Sequence, residues 1–240
     1  MKLTIAISRN LETLRSTDLT GVDILAFPEL FNCKFDENTF EILIPTSEII
    51  AQLELISSQY PDLVIIGGSL PSDAGEPHIP GNESSIIKKG EIIHSVQKIH
   101  QFKPYREDKL FRAGEYVGPY AVKINEENLG IGIAICYDLR FPELSRRLAF
   151  DGMDILFVPA IWSIERDTAW RTLLAARAIE NQVFSVGINS LGKSYCFSPT
   201  GEMRFGSEEV VDFEKFEIDT SEISELKKFI DTIGDSRLLP

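Results

Sequence analysis

Apolar positions recur along the chain with two different periods. Runs rich in β-branched residues, KLTIAIS (2–8), DILAFPEL (23–30) and LVIIGGSL (63–70), predict strands. Between the second and third, SEIIAQLELISSQY (47–60) sets Ile49, Ile50, Leu53 and Ile56 on one helical face, with Ser47 as N-cap and Pro61 as the stop. SSIIKKGEIIHSVQKI (84–99) has two short runs either side of Lys89-Gly90, the pattern of a β-hairpin. LGIGIAICYD (129–138) is too apolar to be half exposed, which predicts a strand covered on both faces. A helix over PELSRRLAFDG (142–152), closed by Gly152, and a strand over MDILFVPA (153–160) follow. TAWRTLLAARAIENQ (168–182) predicts a long helix and VFSVGIN (183–189) a strand. SYCFSPTGEMRFGS (194–207) predicts a last hairpin turning at Pro199-Thr200-Gly201. Strand–helix–strand alternation mixed with hairpins points to an α/β fold with helix-covered sheets. No linker or repeat divides the chain, so residues 1–240 read as one domain.

Composition narrows the possible partners. Hydrophobic residues make up 43% and charged residues 25%, enough for a sizeable core. Lys+Arg is 24 against Asp+Glu 37, a net charge of -13, which argues against nucleic-acid binding. No apolar run approaches the roughly 20 residues of a membrane span, so no membrane partner is expected. The opening MKLTIAISRN is too brief for a signal-peptide core. Cys33, Cys136 and Cys196 form no CxxC pair, which fits a reducing cytoplasm. No Cys/His spacing matches a metal site, and the Gly67-Gly68 pair lacks the three-glycine nucleotide fingerprint, so neither metal nor cofactor is expected.

Glu29, Lys98 and Cys136 stand where predicted strands end, the usual place for reactive groups in α/β proteins. Each taken singly has a plainer explanation: a solvated carboxylate, an exposed basic patch, an inert buried thiol. Chemistry links them. A thiol is a weak nucleophile until deprotonated, and attack on an amide needs a base for its proton and a cation near the developing oxyanion. A carboxylate and an ammonium supply both, although spacing does not by itself bring the three together.

The same residues lie in segments that resemble the carbon–nitrogen hydrolase (nitrilase) superfamily. FPEL (27–30), QKIHQF (97–102) and GIAICYDLRFPEL (132–144) resemble the segments holding its catalytic glutamate, lysine and cysteine, which maps them onto Glu29, Lys98 and Cys136. Glu107, in REDKLFRAGE, stands where the family keeps a second glutamate that positions lysine and substrate. PAIWSIERDTAWRTLLAARAIENQ (159–182) and GKSYCFSPTGE (192–202) extend the match over most of the chain. The resemblance implies a four-layer α-β-β-α sandwich and a thioester mechanism on a small carboxamide, with the backbone N–H of Tyr137 as oxyanion donor. It also implies a homodimer or higher homo-oligomer.

True nitrilases usually show Cys-Trp-Glu at the nucleophile. Cys136-Tyr137-Asp138 is instead similar to the ω-amidase and deaminated-glutathione-amidase branch, whose substrates carry a carboxylate. Arg140, Arg166 and Arg171 are its candidate anchors, and Trp162 and Phe31 candidate pocket walls, each with a structural alternative. Other superfamily activities (carbamoylase, aliphatic amidase, nitrilase), transfer of the acyl group to another acceptor, and a catalytically silent binding protein are the competing readings. A cysteine–histidine dyad would draw on His78, His94 or, first, His100, to which the resemblance gives only a supporting role. Cys33 and Cys196 read as buried thiols. Two segments depart from the family: the short connection over 9–22, where relatives usually have a helix, and the short loop over 189–192. Little extension is expected after the last hairpin.

Overall fold

The structure is a computed structural model that describes residues 1–72, 79–207 and 210–237. Its first part contains β1 (Lys2–Ser8), β2 (Ile24–Ala26), the small ribbon β3 (Cys33–Phe35) and β4 (Phe40–Ile42), and helix α1 (Thr46–Gln59). β5 (Val64–Ile66), β6 (Leu70–Pro71), the hairpin β7 (Asn82–Lys88) and β8 (Glu91–Gln97), and the one-turn helix α2 (Glu107–Leu110) follow. The next stretch carries β9 (Tyr120–Ile124), β10 (Glu127–Ile133), α3 (Pro142–Phe150), β11 (Ile155–Ala160), α4 (Asp167–Asn181) and β12 (Phe184–Asn189). It closes with β13 (Tyr195–Phe197), β14 (Met203–Gly206), β15 (Phe213–Asp219) and α5 (Ser221–Lys227).

The strands form two mixed sheets. The first runs β15-β1-β2-β5-β7-β6 with β8 also on β7; the second runs β14-β13-β12-β11-β10-β9. Side-chain alternation decides what each face covers. Ile5, Ile7, Ile24, Ala26, Val64 and Ile66 point to a core shared with Ile131, Ile133 and Ile155 of the second sheet. Their neighbours Ala6, Leu25 and Ile65 point the other way, onto Ile49 and Leu53 of α1. Leu148 of α3 and Trp170 and Leu174 of α4 cover the outer face of the second sheet. The layers are therefore α-β-β-α, as the resemblance implied. Burying one Ile, Leu or Phe in such a core contributes about 1.5–3 kcal/mol.

Several local expectations shift. Thr46, not Ser47, opens α1, with Pro45 at the cap; Ile49 and Leu53 are buried but Ile50 and Ile56 only half so. The strand expected over 23–30 pairs only through Ala26, because Pro28 lacks the N–H a ladder needs and Leu30 turns to φ 46°. The strand expected over 129–138 pairs only to Ile133, and a 3-10 turn spans Cys136–Arg140. Chemistry-bearing residues thus sit on the loops just past the strands. The hairpin over 84–99 turns at Lys89-Gly90, both at positive φ (54° and 79°), the hand a tight hairpin requires. Residues after the last hairpin are not an appendage: β15 pairs antiparallel with β1 from Phe213↔Ser8 to Asp219↔Lys2. The short 9–22 connection holds one 3-10 turn, Thr13–Ser16, and buries Leu14 and Leu19 under α1.

Candidate active site

Four predicted residues converge at one end of the two sheets. Past β2 the chain leaves the ladder, and Glu29 makes a lone parallel bridge with Ser69 beyond β5. Lys98 follows β8 directly, its N–H donating to the Asn82 carbonyl (2.8 Å). Its Nζ donates to Glu29 Oε1 and to Glu107 Oε1, each at 2.8 Å. Exposures of 0%, 1% and 2% for Lys98, Glu29 and Glu107 show that water supplies none of this solvation. Glu29 is held further by Asn82 Nδ2 on Oε1 (2.9 Å) and the Ile161 N–H on Oε2 (3.0 Å), and Glu107 Oε2 accepts the Phe102 N–H (2.7 Å).

Cys136 stands in the left-handed region at φ 47°, opening the 3-10 turn. Its Sγ lies 3.7 Å from the carbonyl of Ile161, the residue whose N–H donates to Glu29 Oε2. Burial pushes the Cys136 thiol well up from its ordinary value; the Glu29 charge adds to the rise and Lys98 opposes it. For Lys98, burial alone would lower the ammonium, but Glu29, Cys136 and Glu107 together hold it above its usual range. Burial raises Glu107, and Lys98 counters. The resting arrangement is therefore a neutral thiol beside a carboxylate, with a locked ammonium next to both. Such a thiol becomes nucleophilic only when a neighbouring base removes its proton.

Asp138 ties the two sides of the site together. Its Oδ1 accepts the His100 N–H (2.8 Å) and lies 2.7 Å from His100 Nδ1; its Oδ2 accepts the N–H of Ile135 (3.1 Å) and, longer, that of Ile99 (3.4 Å). His100 stacks on Phe141 at 3.5 Å, so its ring is engaged there. His94 lies against Tyr120, and His78 falls outside the described residues.

A narrow cleft opens over Cys136, lined by Phe102, Tyr137, Arg140, Ile161, Trp162 and Arg166. Tyr137, Arg140 and Trp162 are thus on its walls. Trp162 is fixed there by the short 189–192 loop: Asn189 Oδ1 accepts its N–H (2.9 Å) and Asn189 Nδ2 donates to its carbonyl (2.9 Å). Phe31 is not on the wall; it stacks on Phe27 (4.9 Å) on the α1 side of the first sheet. Arg171 lies over Tyr195 instead. Cys196 is buried, but Cys33 is only half-buried, with its Sγ 3.2 Å from Asn32 Oδ1. Asn82, Phe102, Ile161 and Asp138 were not singled out from the sequence. Only the buried acid of Asp138 in an apolar segment offered a signal; the others are ordinary residues there. Among the described residues no group of His, Cys, Asp and Glu is placed to hold a metal, and no helix is long and apolar enough to cross a membrane.

Gly68 keeps the Glu29 loop in place. At φ +62° its missing side chain lets Pro28 approach, and a Cβ there would lie 2.2 Å from the Pro28 carbonyl. Gly68→Ala is expected to cost about 1–3 kcal/mol. Thermal unfolding would read this as a fall in Tm of roughly 2–10 °C; an unchanged Tm would show that the loop yields freely.

Fold and kinship together define a hydrolase that acts on carbon–nitrogen bonds. The chain belongs to the carbon-nitrogen hydrolase family, whose model matches residues 6–228. It is 30% identical over 227 residues to the 2-oxoglutaramate amidase of Bacillus subtilis (strain 168), covering 90% of this chain and 85% of that one. It is 29% identical over 229 residues to a hydrolase in the agr operon of Staphylococcus aureus, covering 90% and 86%. The carbon-nitrogen hydrolase of Helicobacter pylori G27 shares the fold with a TM-score of 0.84 at 16% identity, over 99% of this chain and 96% of that one.

Proposed function

We propose that the chain hydrolyses a small carboxamide bearing a carboxylate, through a thioester on Cys136. The observation that carries this reading is the Lys98 ammonium bridging Glu29 and Glu107, all three buried, against the Cys136 thiol. Glu29 takes the thiol proton, and the thiolate attacks the amide carbon. Lys98 and the Tyr137 N–H, which has no acceptor within its own turn, hold the oxyanion. The tetrahedral adduct collapses by breaking its C–N bond, and Glu29 returns the proton to the leaving ammonia. Water then enters, gives a proton to Glu29, and its oxygen attacks the thioester. The acid leaves, and the proton returns to the Cys136 sulfur. Glu107 keeps Lys98 charged and aimed.

Arg140 is the anchor for the substrate carboxylate, its guanidinium 4.9 Å from the Trp162 ring at the cleft wall. The kinship with a 2-oxoglutaramate amidase favours a short dicarboxylic monoamide. The test is ammonia release from 2-oxoglutaramate, deaminated glutathione, glutamine, a carbamoyl amide and an aliphatic nitrile. Preferential turnover of the carboxylate-bearing amides is expected. Carbon dioxide released with ammonia would replace this reading with carbamoyl cleavage, and preferred turnover of the nitrile would replace it with a nitrilase.

A further inference from the structure

Acids outnumber bases in this chain, 37 to 24, yet two guanidinium groups face the cleft without a carboxylate. Three other arginines are ion-paired among the described residues: Arg147 with Asp151, Arg177 with Glu180, and Arg204 with Glu202 and Glu222. Among the described residues neither Arg140 nor Arg166 has a carboxylate within ion-pair distance.

Arg166 is also fixed in direction. Its Nε donates to Ser163 Oγ (2.9 Å), its carbonyl accepts from Trp162 Nε1 (3.1 Å), and its guanidinium lies 5.3 Å from the Phe102 ring. Stacking on the ring and the Nε bond leave the Nη edge for an acceptor in the guanidinium plane. Arg140 stacks on Trp162 in the same cleft. Cys136, where the scissile amide must go, lines the same cleft as both guanidinium groups.

Resting on the amidase reading above, we propose that Arg166 is a selectivity residue. It binds the oxygen on the carbon next to the substrate carboxylate while Arg140 binds the carboxylate, so the pair reads a 2-oxo acid and rejects a 2-ammonio acid. An oxo oxygen offers lone pairs to a guanidinium. An ammonium at the same carbon would meet two positive charges on the cleft wall, costing roughly tenfold in binding. The two substrates share carboxylate, chain length and amide, so the discrimination falls on that one substituent.

The experiment compares 2-oxoglutaramate, L-glutamine and pentanamide in wild type, Arg166→Met and Arg166→Lys. Wild type is expected to prefer the oxo amide to glutamine. Arg166→Met should lower kcat/KM for the oxo amide about 10- to 100-fold, mainly through KM. Pentanamide should fall far less, and Arg166→Lys should recover part of the loss. An unchanged oxo-to-amino ratio in Arg166→Met would overturn the proposal, as would an equal loss on pentanamide, which marks a structural role. Calorimetry on Cys136→Ala, with and without Arg166→Met, reads binding apart from chemistry. Equal binding of 2-oxoglutaramate by the two also overturns the role of Arg166, and weaker binding by the double variant supports it. Failure of the amidase reading is separate: wild type then turns over no amide and its Cys136 resists a haloacetamide.

Discussion

Cys136→Ala is expected to lower ammonia release by about 10⁴-fold or more, while the protein folds as before. Alanine fits the same buried space, so Glu29, Lys98 and Glu107 keep their hydrogen bonds. What disappears is the atom proposed to form the acyl bond. Groups that act as one unit fail together when the nucleophile is removed, which sets the size of the loss. Serine at 136 should do little better, since its hydroxyl is harder to deprotonate than the thiol that burial has already raised. Intact-mass measurement under steady turnover checks the covalent step directly: wild type should carry the acyl group and Cys136→Ala should not. A Cys136→Ala protein retaining more than about 1% of the rate would sink the nucleophile assignment.

Lys98→Met carries the second large effect, on both activity and stability. Its ammonium is wholly buried between two carboxylates that are themselves buried. Removing one partner of such a group leaves charge without solvent or counter-ion, costing about 3–5 kcal/mol. Loss of the oxyanion donor should remove about 10²–10³ in kcat. The stability loss should depend on pH. Burial raises Glu107 even with Lys98 present, and without the cation only the Phe102 N–H opposes that rise. Its folded-state pKa then lies above the unfolded one, so the folded form binds the extra proton and stability falls as pH increases. Lys98→Met should therefore lie closest to wild type below the carboxylate range and farthest from it near neutral pH. Denaturant melts of both proteins at pH 5 and pH 8 read the difference; an equal gap at both pH values would show that the carboxylates stay unperturbed.

That helices cover the sheets was legible because it rests on periodicity, whereas the α-β-β-α order came from the resemblance. Alternating Ile5, Ala6 and Ile7, or Val64, Ile65 and Ile66, each place side chains on two opposite cores, and any strand buried on both faces must read as these do. The Lys89-Gly90 turn was legible for the same local reason. Strand ends were not. Pairing at Ala26 and Ile133 stops because of backbone turns at Leu30 and Cys136, and nothing in either segment's hydrophobicity marks a change of φ. Pairing of β15 with β1 was also hidden, since it joins residues about 200 apart by register alone. In the site, the motif residues were readable from resemblance, but Asn82 and Ile161 act through one amide and one peptide group that any residue pattern conceals. Phe31 misled because its neighbour Glu29 points into the site while Phe31 packs behind the sheet.

The backbone angle at Cys136 sets folding against chemistry at a single position. Glycine is the residue that takes φ 47° without steric penalty, and a side chain there costs roughly 1 kcal/mol. Drift toward a more robust chain would favour glycine at this elbow and silence the protein in the same step. With Cys136 as the proposed nucleophile, pressure to keep it comes from turnover, and a copy of this gene freed from that pressure should lose its cysteine early while keeping the sandwich intact.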